Sequence, residues 1–484
     1  MMHRRMSLIC IIFLILVGSL APAADAAVYY LSPDGDDDAA GTETDPWQTI
    51  GFGRQQLAPG DTLHLLPGEY VESNTITGLN GTEAAPITIE GEPGVLVTAT
   101  GRDAFLFWTN CQWVILDGLE ITGGSRAGVI IAECADIIIR NCLIRDNRKW
   151  QIQSVLSDRL TVENCELTGA VLEHGVYFST TDHPTVRNCH IHHNSGNGIH
   201  MNGDLSEGGD GIITGPVIVG NVIHHNGESG GAGINMDGGE DAFIANNLLY
   251  DNRAGGMNSY SIDSARGGRR NRYIHNTVYF EPGVGRYALQ LYAGSTDAEV
   301  KNNILISDDQ ALEVDAASLP GLDSDHNVFY HHGGLDPIYS SGWKSLVEWR
   351  TMTGLDEHSV QGMPEFADLA GRDFHLVADS IAVDAGVFMA DVPEDLDGVA
   401  RPRGGAADIG TYEFHRKGDF DDDGDVDFWD FMEFVDVYGF TEQDPEWSGD
   451  SVIADFDDDD NVDFWDFMDF VDVYGTTYAA SPGS

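Results

Sequence analysis

Apolar and polar residues alternate in short runs along the middle of the chain, and the runs recur at a nearly constant interval. Each begins with a small residue: "GVYFS" from Gly175, "GIHMN" from Gly198, "GINMD" from Gly233, "GMNSY" from Gly256, "ALQLY" from Ala288 and "ALEVD" from Ala311. Alternation with a period of two marks a strand with one buried face. A second mark lies between these runs. Cys142, Cys165 and Cys189 sit in "NCLI", "NCEL" and "NCHI" at spacings of 23 and 24 residues, and Cys111 and Cys134 are 23 apart. Asparagine then takes over the same register at Asn221, Asn247, Asn276, Asn303 and Asn327. One such repeat cannot bury its own apolar face, whereas stacked repeats share a continuous core.

The pattern predicts an all-β fold, a right-handed single-stranded parallel β-helix with one coil per repeat over residues 28–361, followed by a closing segment at 362–414. Equivalent positions of successive coils then lie about 4.8 Å apart. Inward cysteines stack as small apolar residues, and asparagine amides bond along the turns. Five cysteines remain once Cys10 is set aside with the N-terminal segment, an odd number that cannot all pair.

Alternation also assigns faces. One outward column reads Gln153, Tyr177, His200, Asn235, Asn258, Gln290 and Glu313; its neighbour reads Val155, Ser179, Asn202, Asp237, Tyr260, Tyr292 and Asp315. Upstream the equivalents are apolar, Ile130 and Ala132. Two longer interruptions flank the polar strip, residues 203–215 and 264–272, and long solenoid loops tend to line one binding face. Aromatic rings stack on sugar rings and amides bond hydroxyls, so the strip suits an extended polysaccharide, bound through Asn202, Asn235, Asn258, Gln290 and Tyr292. Arg266, Arg269 and Arg270 stand in the second loop, and guanidinium forks match carboxylate or sulfate; pairing with neighbouring acidic residues is the alternative. For a lyase, His200, Tyr177 or Tyr260 is the candidate to take the proton beside a uronate carboxylate. For a hydrolase, Asp237 with Asp263 or Glu173 is the candidate carboxylate pair. Asp237, one coil from His200, is placed to tune its pKa. His174, His183 and the paired histidines at 192 and 224 read as turn or surface residues.

Charge changes the picture mainly at the C-terminus. The formal net charge is -54, and 22 acidic residues with no basic one fall between Asp419 and Asp472, leaving 57 acidic against 25 basic elsewhere. Such a surface excludes a nucleic-acid partner. "DFDDDGDVDFWDF" and "DFDDDDNVDFWDF" recur 36 residues apart. Asp419, Asp421, Asp423, Asp427 and Asp430 fill loop positions 1, 3, 5, 9 and 12 of a calcium loop, with Asp425 at 7. The second copy offers Asp455, Asp457, Asp459, Asn461, Asp463 and Asp466. Aspartate at position 12 resembles the duplicated loop-helix of type I dockerins. That implies a small α-helical module at 415–475 that binds Ca2+ and takes a cohesin-like or cell-surface partner, with a tail at 476–484. The helices lack the serine–threonine pair typical of dockerin recognition, so a calcium-stabilised tail is the alternative. Asp460 replaces the turn glycine in the second loop, which predicts weaker binding there.

At the other end, Arg4 and Arg5, the apolar run from Leu8 to Val17 and "ADA" at 24–26 read as a secretory signal over residues 1–27. "YYLSPDGDDDAAGTETDPWQTI" with "LAPGDTLHLLPGEYVE" resembles the opening of secreted bacterial β-helix proteins, including the chondroitinase B and alginate lyase group. "DFHLVADSIAVDAG" with "DLDGVARPRGGAADIGTYEF" resembles their closing segment. The resemblance covers about Val28 to Phe414 and implies the pectate lyase-like fold and secretion. No match to the lysine–arginine catalytic pair of that group stands on an equivalent motif, so no family catalytic residue is carried over. The sequence thus points to a secreted or periplasmic bacterial monomer, with no transmembrane segment, acting on an anionic polysaccharide. Lyase, glycoside hydrolase and non-catalytic glycan-binding matrix protein stay open.

Overall fold

A computed structural model describes residues 26–477, except 422, 442, 445, 446, 448 and 458. Most of the expected signal segment, and the chain beyond residue 477, therefore lie outside the described residues. The chain winds into a right-handed parallel β-solenoid of about 12 turns. Three sheets of 12 strands each form its walls. The first runs from Val28–Leu31 to Asp323–Asp325, the second from Asn74–Ile76 to Trp343–Lys344, and the third from Gly68–Val71 to Val360–Gln361. Neighbouring strands pair parallel in strict register, one coil to the next; only the last pair of the second sheet is antiparallel.

Inward residues of all three sheets fill the interior: Ile199, Met201, Ile234, Met236 and Met257 from the second sheet meet Ile218 and Ile244 from the first and Ile223 and Leu249 from the third. Cys111, Cys134, Cys142, Cys165 and Cys189 are buried and unbridged, as expected of a stacked column. The asparagine column is a hydrogen-bonded ladder. Asn247 Oδ1 accepts from the backbone N–H of Asn221 at 3.1 Å and from its Nδ2 at 2.9 Å, while Asn247 Nδ2 donates to Ile218 O at 2.9 Å. The same contacts link Asn247 to Asn276, Asn276 to Asn303 and Asn303 to Asn327. Each amide thus satisfies a turn N–H that no strand partner reaches.

A second ladder, not read from the sequence, runs through Asn194, Asn226 and Asn252 at the entrance to the second sheet. It explains the glycine that opens three of the alternating runs, Gly175, Gly198 and Gly233. A Cβ on Gly198 would stand 2.7 Å from Gly233 O and 3.1 Å from Asn226 Nδ2. The closely stacked backbones and the buried amide leave room for a hydrogen only.

Helices not expected from the repeats cover the two ends. Ile50–Gly53 buries Ile50 over the first coils, and Leu346–Thr353 buries Trp349 over the last, where Trp349 Nε1 donates to Asp356 Oδ2 at 2.7 Å. Terminal caps of this kind shield a solenoid's open ends. The closing segment packs along the third sheet: Thr411 Oγ1 donates to Asn247 O, and Thr411 N donates to Thr277 Oγ1. Its centre is a fully buried pair, Arg401 to Glu413 at 2.8 Å, with Arg401 also donating to Gly410 O and Thr411 O.

Beyond it, the helices Phe428–Val437 and Phe464–Val473 pack through Phe434 and Phe470, whose rings stack 5.2 Å apart. The duplicated halves cross-pair: Gly475 N donates to Val426 O, and Gly439 N donates to Val462 O. Among the described residues no helix is long and apolar enough to cross a membrane.

The ladder sets an expectation. Asn247→Ala leaves the backbone N–H of Asn221 unmet and removes the amide donor from the carbonyl of Ile218, which costs about 2 kcal/mol. A marked fall in Tm follows, whereas the exposed Gln56→Ala leaves Tm unchanged; equal Tm values for the two variants contradict the ladder's role.

Candidate functional site

The register places the polar strip as alternation requires. Gln153, Tyr177, His200, Asn235, Asn258, Gln290 and Glu313 are successive partners across seven strands of the second sheet, and Val155, Ser179, Asn202, Asp237 and Tyr260 follow beside them. From Gln153 to Gln290 there are five coil spacings, about 24 Å in all.

The strip is the floor of a cleft rather than an open face. Asn202, Asn235, Asp237 and Asn258 are buried although they point away from the core. The two long loops knit into one wall, with Leu205 N donating to Asp263 O and Ala265 N to Gly211 O. Downstream a cavity of about 410 Å³ opens over Asn235, Asn258 and Gln290, between Tyr260 and Tyr292 on one side and Arg286 and Tyr287 on the other. Amides and phenols pair along it. Asn235 Nδ2 donates to Tyr260 Oη at 2.8 Å, Asn258 Nδ2 to Tyr287 Oη at 3.0 Å, and Asn202 Nδ2 to Tyr177 Oη at 3.4 Å. Each phenol keeps its own O–H to donate. Burial pushes the Tyr177, Tyr260 and Tyr287 hydroxyls above their ordinary pKa.

Trp150, Tyr177 and His200 form a continuous aromatic run on three coils, with centroids 5.8 and 5.1 Å apart. Five buried polar atoms on this floor have no protein partner: Trp150 Nε1, Ser179 Oγ, His200 Nε2, Asn202 Oδ1 and Asn258 Oδ1. Buried polar groups are normally satisfied. A row of unmet donors and acceptors beside aromatic faces is what a hydroxyl-rich ligand completes.

His200 is not placed to be a resting-state base. The backbone N–H of Asn197 donates to His174 Nδ1 at 2.9 Å, so His174 carries its proton on Nε2 and gives it to His200 Nδ1 at 3.1 Å. The proton of His200 is therefore on Nε2, the unpartnered nitrogen. Burial lowers its pKa to about 4, against the opposing pull of Asp237. His200 presents a neutral N–H donor to the cleft. His174, read from sequence as a turn residue, is buried and sets that tautomer.

Asp237 also differs from its expected role. Its carboxylate accepts the N–H groups of Ile262, Asp263 and Ser264 at 3.0, 2.8 and 3.2 Å, so it anchors the loop that forms the wall. Asp263 is exposed on that loop and Glu173 lies in a turn, so neither joins Asp237 as a facing carboxylate pair. The arginine loop takes its alternative reading in part. Arg266 pairs with Glu240, and Arg270 with Glu240 and Asp241 at 2.7 Å; the exposed Arg269 has no ion pair among the described residues. Arg286, not singled out from the sequence, lines the cavity and likewise has no ion pair among the described residues. Its signal was its place one turn before the "ALQLY" strand, where the second wall of the cleft begins.

The paired histidines stack on the third sheet instead. His190 Nε2 meets His224 Nε2 at 2.6 Å, and His224 Nδ1 meets His225 Nδ1 at 2.7 Å. A separate cavity of about 390 Å³ opens beside His193, His225, Asp251 and Arg253.

In the C-terminal module the first, third and fifth loop positions converge. Single carboxylate oxygens of Asp419, Asp421 and Asp423 lie within 4.8 Å of one another, as do those of Asp455, Asp457, Asp459 and Asp466. Hard oxygens so gathered fit a calcium ion. Asp427 and Asp463 cap their helices by accepting from Trp429 N and Trp465 N. Asp430 and Asp466 hold the loop ends through Phe420 N and Phe456 N at 2.7 and 2.6 Å. Asp425 and Asn461 form single backbone bridges to Thr477 and Thr441. Both loops turn through the left-handed region at position 6, with φ of 91° at Gly424 and 64° at Asp460.

Comparison with known proteins agrees with this architecture. A family described as the right-handed β-helix region matches residues 72–208. The uncharacterised protein YwoF of Bacillus subtilis is 24% identical over 467 residues, covering 76% of this chain and 98% of its own length. Pectate lyase PEL9 of Emericella nidulans is 38% identical over 86 residues, 18% of this chain and 21% of its own length. Among solved structures, pectate lyase Pel9A shares the fold with a TM-score of 0.55 at 16% identity, over 81% of this chain and 98% of that one.

Two expectations follow. The fold favours neutral His200, so its contribution to stability is complete above about pH 6.5 and is lost as pH falls toward 4. His200→Gln therefore loses less Tm than the parent between about pH 7.5 and about pH 5; parallel profiles contradict the assignment. At Asp460, Asp→Gly relieves a left-handed strain of about 1 kcal/mol and raises the Tm of the C-terminal transition, and an unchanged or lower value contradicts it.

Proposed function

We propose that the protein binds an extended anionic polysaccharide along the second sheet and cleaves it by elimination. The observation that carries this reading is the row of five unmet polar atoms beside the Trp150–Tyr177–His200 ring stack. Sugar rings stack on the aromatic faces, while hydroxyls donate to Asn202 Oδ1 and Asn258 Oδ1 and accept from Trp150 Nε1. Elimination needs a donor set for the uronate carboxylate and a group to take the adjacent proton. Arg286, which lines the same cavity as Tyr260, supplies the first, while the His200 Nε2–H binds a neighbouring sugar further up the strip. Tyr260, acting as a phenolate held by the Asn235 amide, takes the proton beside the carboxylate as the carbon–carbon double bond forms, and returns it to the glycosidic oxygen as the C–O bond breaks. A stretch of 86 residues that is 38% identical to a pectate lyase favours elimination over hydrolysis.

One observation favours a second reading, a glycan-binding protein without catalysis. His200 is a donor and Asp237 is taken up by the N–H groups of the loop, and the cleft phenols Tyr177, Tyr260 and Tyr287 are held above their ordinary pKa.

The C-terminal loops are proposed to hold calcium, Asp419, Asp421 and Asp423 at one site and Asp455, Asp457, Asp459 and Asp466 at the other. The exposed Trp429 and Trp465 are then held for a cohesin-like or surface partner. Secretion is part of the same proposal, since such substrates lie outside the cell.

A panel of uronate and sulfated polysaccharides tests the reading, followed by ultraviolet absorbance of unsaturated ends and by assay of reducing ends. Unsaturated product, reduced about 10²-fold or more in Tyr260→Phe and with raised KM in Arg286→Ala, is expected. Reducing ends alone indicate hydrolysis. Binding without product across the panel indicates the non-catalytic reading.

A further inference from the structure

Far from the cleft, the last strand of the first sheet ends in Asp325, and His326 follows with φ of 54°. This backbone reversal turns the two side chains toward His358, which arrives from the connection after the C-terminal capping helix. Single ligand atoms of Asp325, His326 and His358 all lie within 4.8 Å of one another. The rings of His326 and His358 are parallel, 4.8 Å apart.

Each group is oriented by its surroundings. Asp325 Oδ1 accepts the backbone N–H groups of His326 and His358 at 2.9 and 2.8 Å, which leaves Oδ2 as the outward oxygen. His326 Nδ1 donates to Ala385 O at 3.0 Å, so its lone pair is on Nε2. That lone pair faces Asp325 Oδ2 across 3.9 Å. Two acceptors facing each other at this distance leave a place for a cation between them. His358 Nδ1 completes the set at 2.8 Å from the same oxygen, with its side chain 59% exposed, so water reaches the remaining side. An imidazole whose other nitrogen donates to a backbone carbonyl, and a carboxylate held by backbone N–H groups, are the outer contacts that fix ligands in metal sites.

We propose that Asp325 Oδ2, His326 Nε2 and His358 Nδ1 form a site for a divalent transition metal of the zinc class, with water as fourth ligand. Two imidazoles and one carboxylate select such a metal over calcium or magnesium. The metal takes the position of the proton that His358 now shares with Asp325. It ties the last coil to the connection at residue 358 and, through Ala385, to the closing segment. The site is separate in place and in chemistry from the acidic loops of the C-terminal module.

The test uses the full chain, stripped with a chelator and returned to excess calcium so that the acidic loops do not compete. Cobalt(II) is titrated as the probe, with its visible absorption read for intensity and coordination number. The expected result is one cobalt per chain with an intense four-coordinate spectrum, displaced by zinc. His326→Gln and His358→Gln each weaken binding roughly tenfold or more, and zinc raises the Tm of the parent but of neither variant. His358 is on the surface, so its variant keeps the fold. Cobalt affinity unchanged in both variants overturns the proposal. So does a signal lost only in His224→Gln, which would place the metal on the imidazole stack of the third sheet.

Discussion

The buried asparagine amide between coils is the contact on which the rest of this structure depends. At each turn of the ladder one carbonyl oxygen takes two N–H groups from the preceding coil, and the amide's own N–H returns to a backbone carbonyl. Hydrophobic burial excludes a slip of one residue, which would turn every outward side chain inward, but not a slip of two, because inward Ile, Leu, Met and Val are interchangeable from coil to coil. A fully buried amide is not interchangeable. A slip of two residues would leave its donors and acceptors unmet in a dry interior.

Register in turn makes the cleft. Fixed pairing carries Tyr177, His200, Asn235, Asn258 and Gln290 into one outward column. The second ladder, through Asn194, Asn226 and Asn252, keeps the entrance to that sheet narrow by demanding glycine there. Asp237 stands in the neighbouring column and spends its charge on the loop that walls the cleft. The same strand thus supplies floor and wall. Further round the coil, the closing segment is bonded to the third sheet through Thr411 and organised internally by the buried Arg401 and Glu413 pair, which explains the charged, glycine-rich "DLDGVARPRGG" motif in structural terms.

Much of this was legible before any coordinates. The interval between Cys142, Cys165 and Cys189, passing into asparagine at 221, is a statement of coil length and turn chemistry. Strand alternation alone names both columns of the strip. The rest was hidden because it depends on residues in turns, whose direction alternation does not give. His174 lies 26 positions before His200 yet determines which nitrogen of His200 bears the proton. Arg266 and Arg270 look free in the sequence, but the next coil back presents Glu240 and Asp241 to them. Arg286 was passed over because it stands outside any alternating run. Asp460, by contrast, was readable from its position in the loop, and its positive φ is the geometry that glycine would have adopted without strain.

The central claim is that the second-sheet strip is a carbohydrate site. A crystal structure with a bound uronate oligosaccharide tests it most directly. The account predicts sugar rings over Trp150 and Tyr177, with hydroxyls or a carboxylate on His200 Nε2, Asn202 Oδ1, Asn258 Oδ1 and Arg286. An oligosaccharide bound instead beside His193 and His225 on the other face, or on the C-terminal helices with the strip left to solvent, contradicts it.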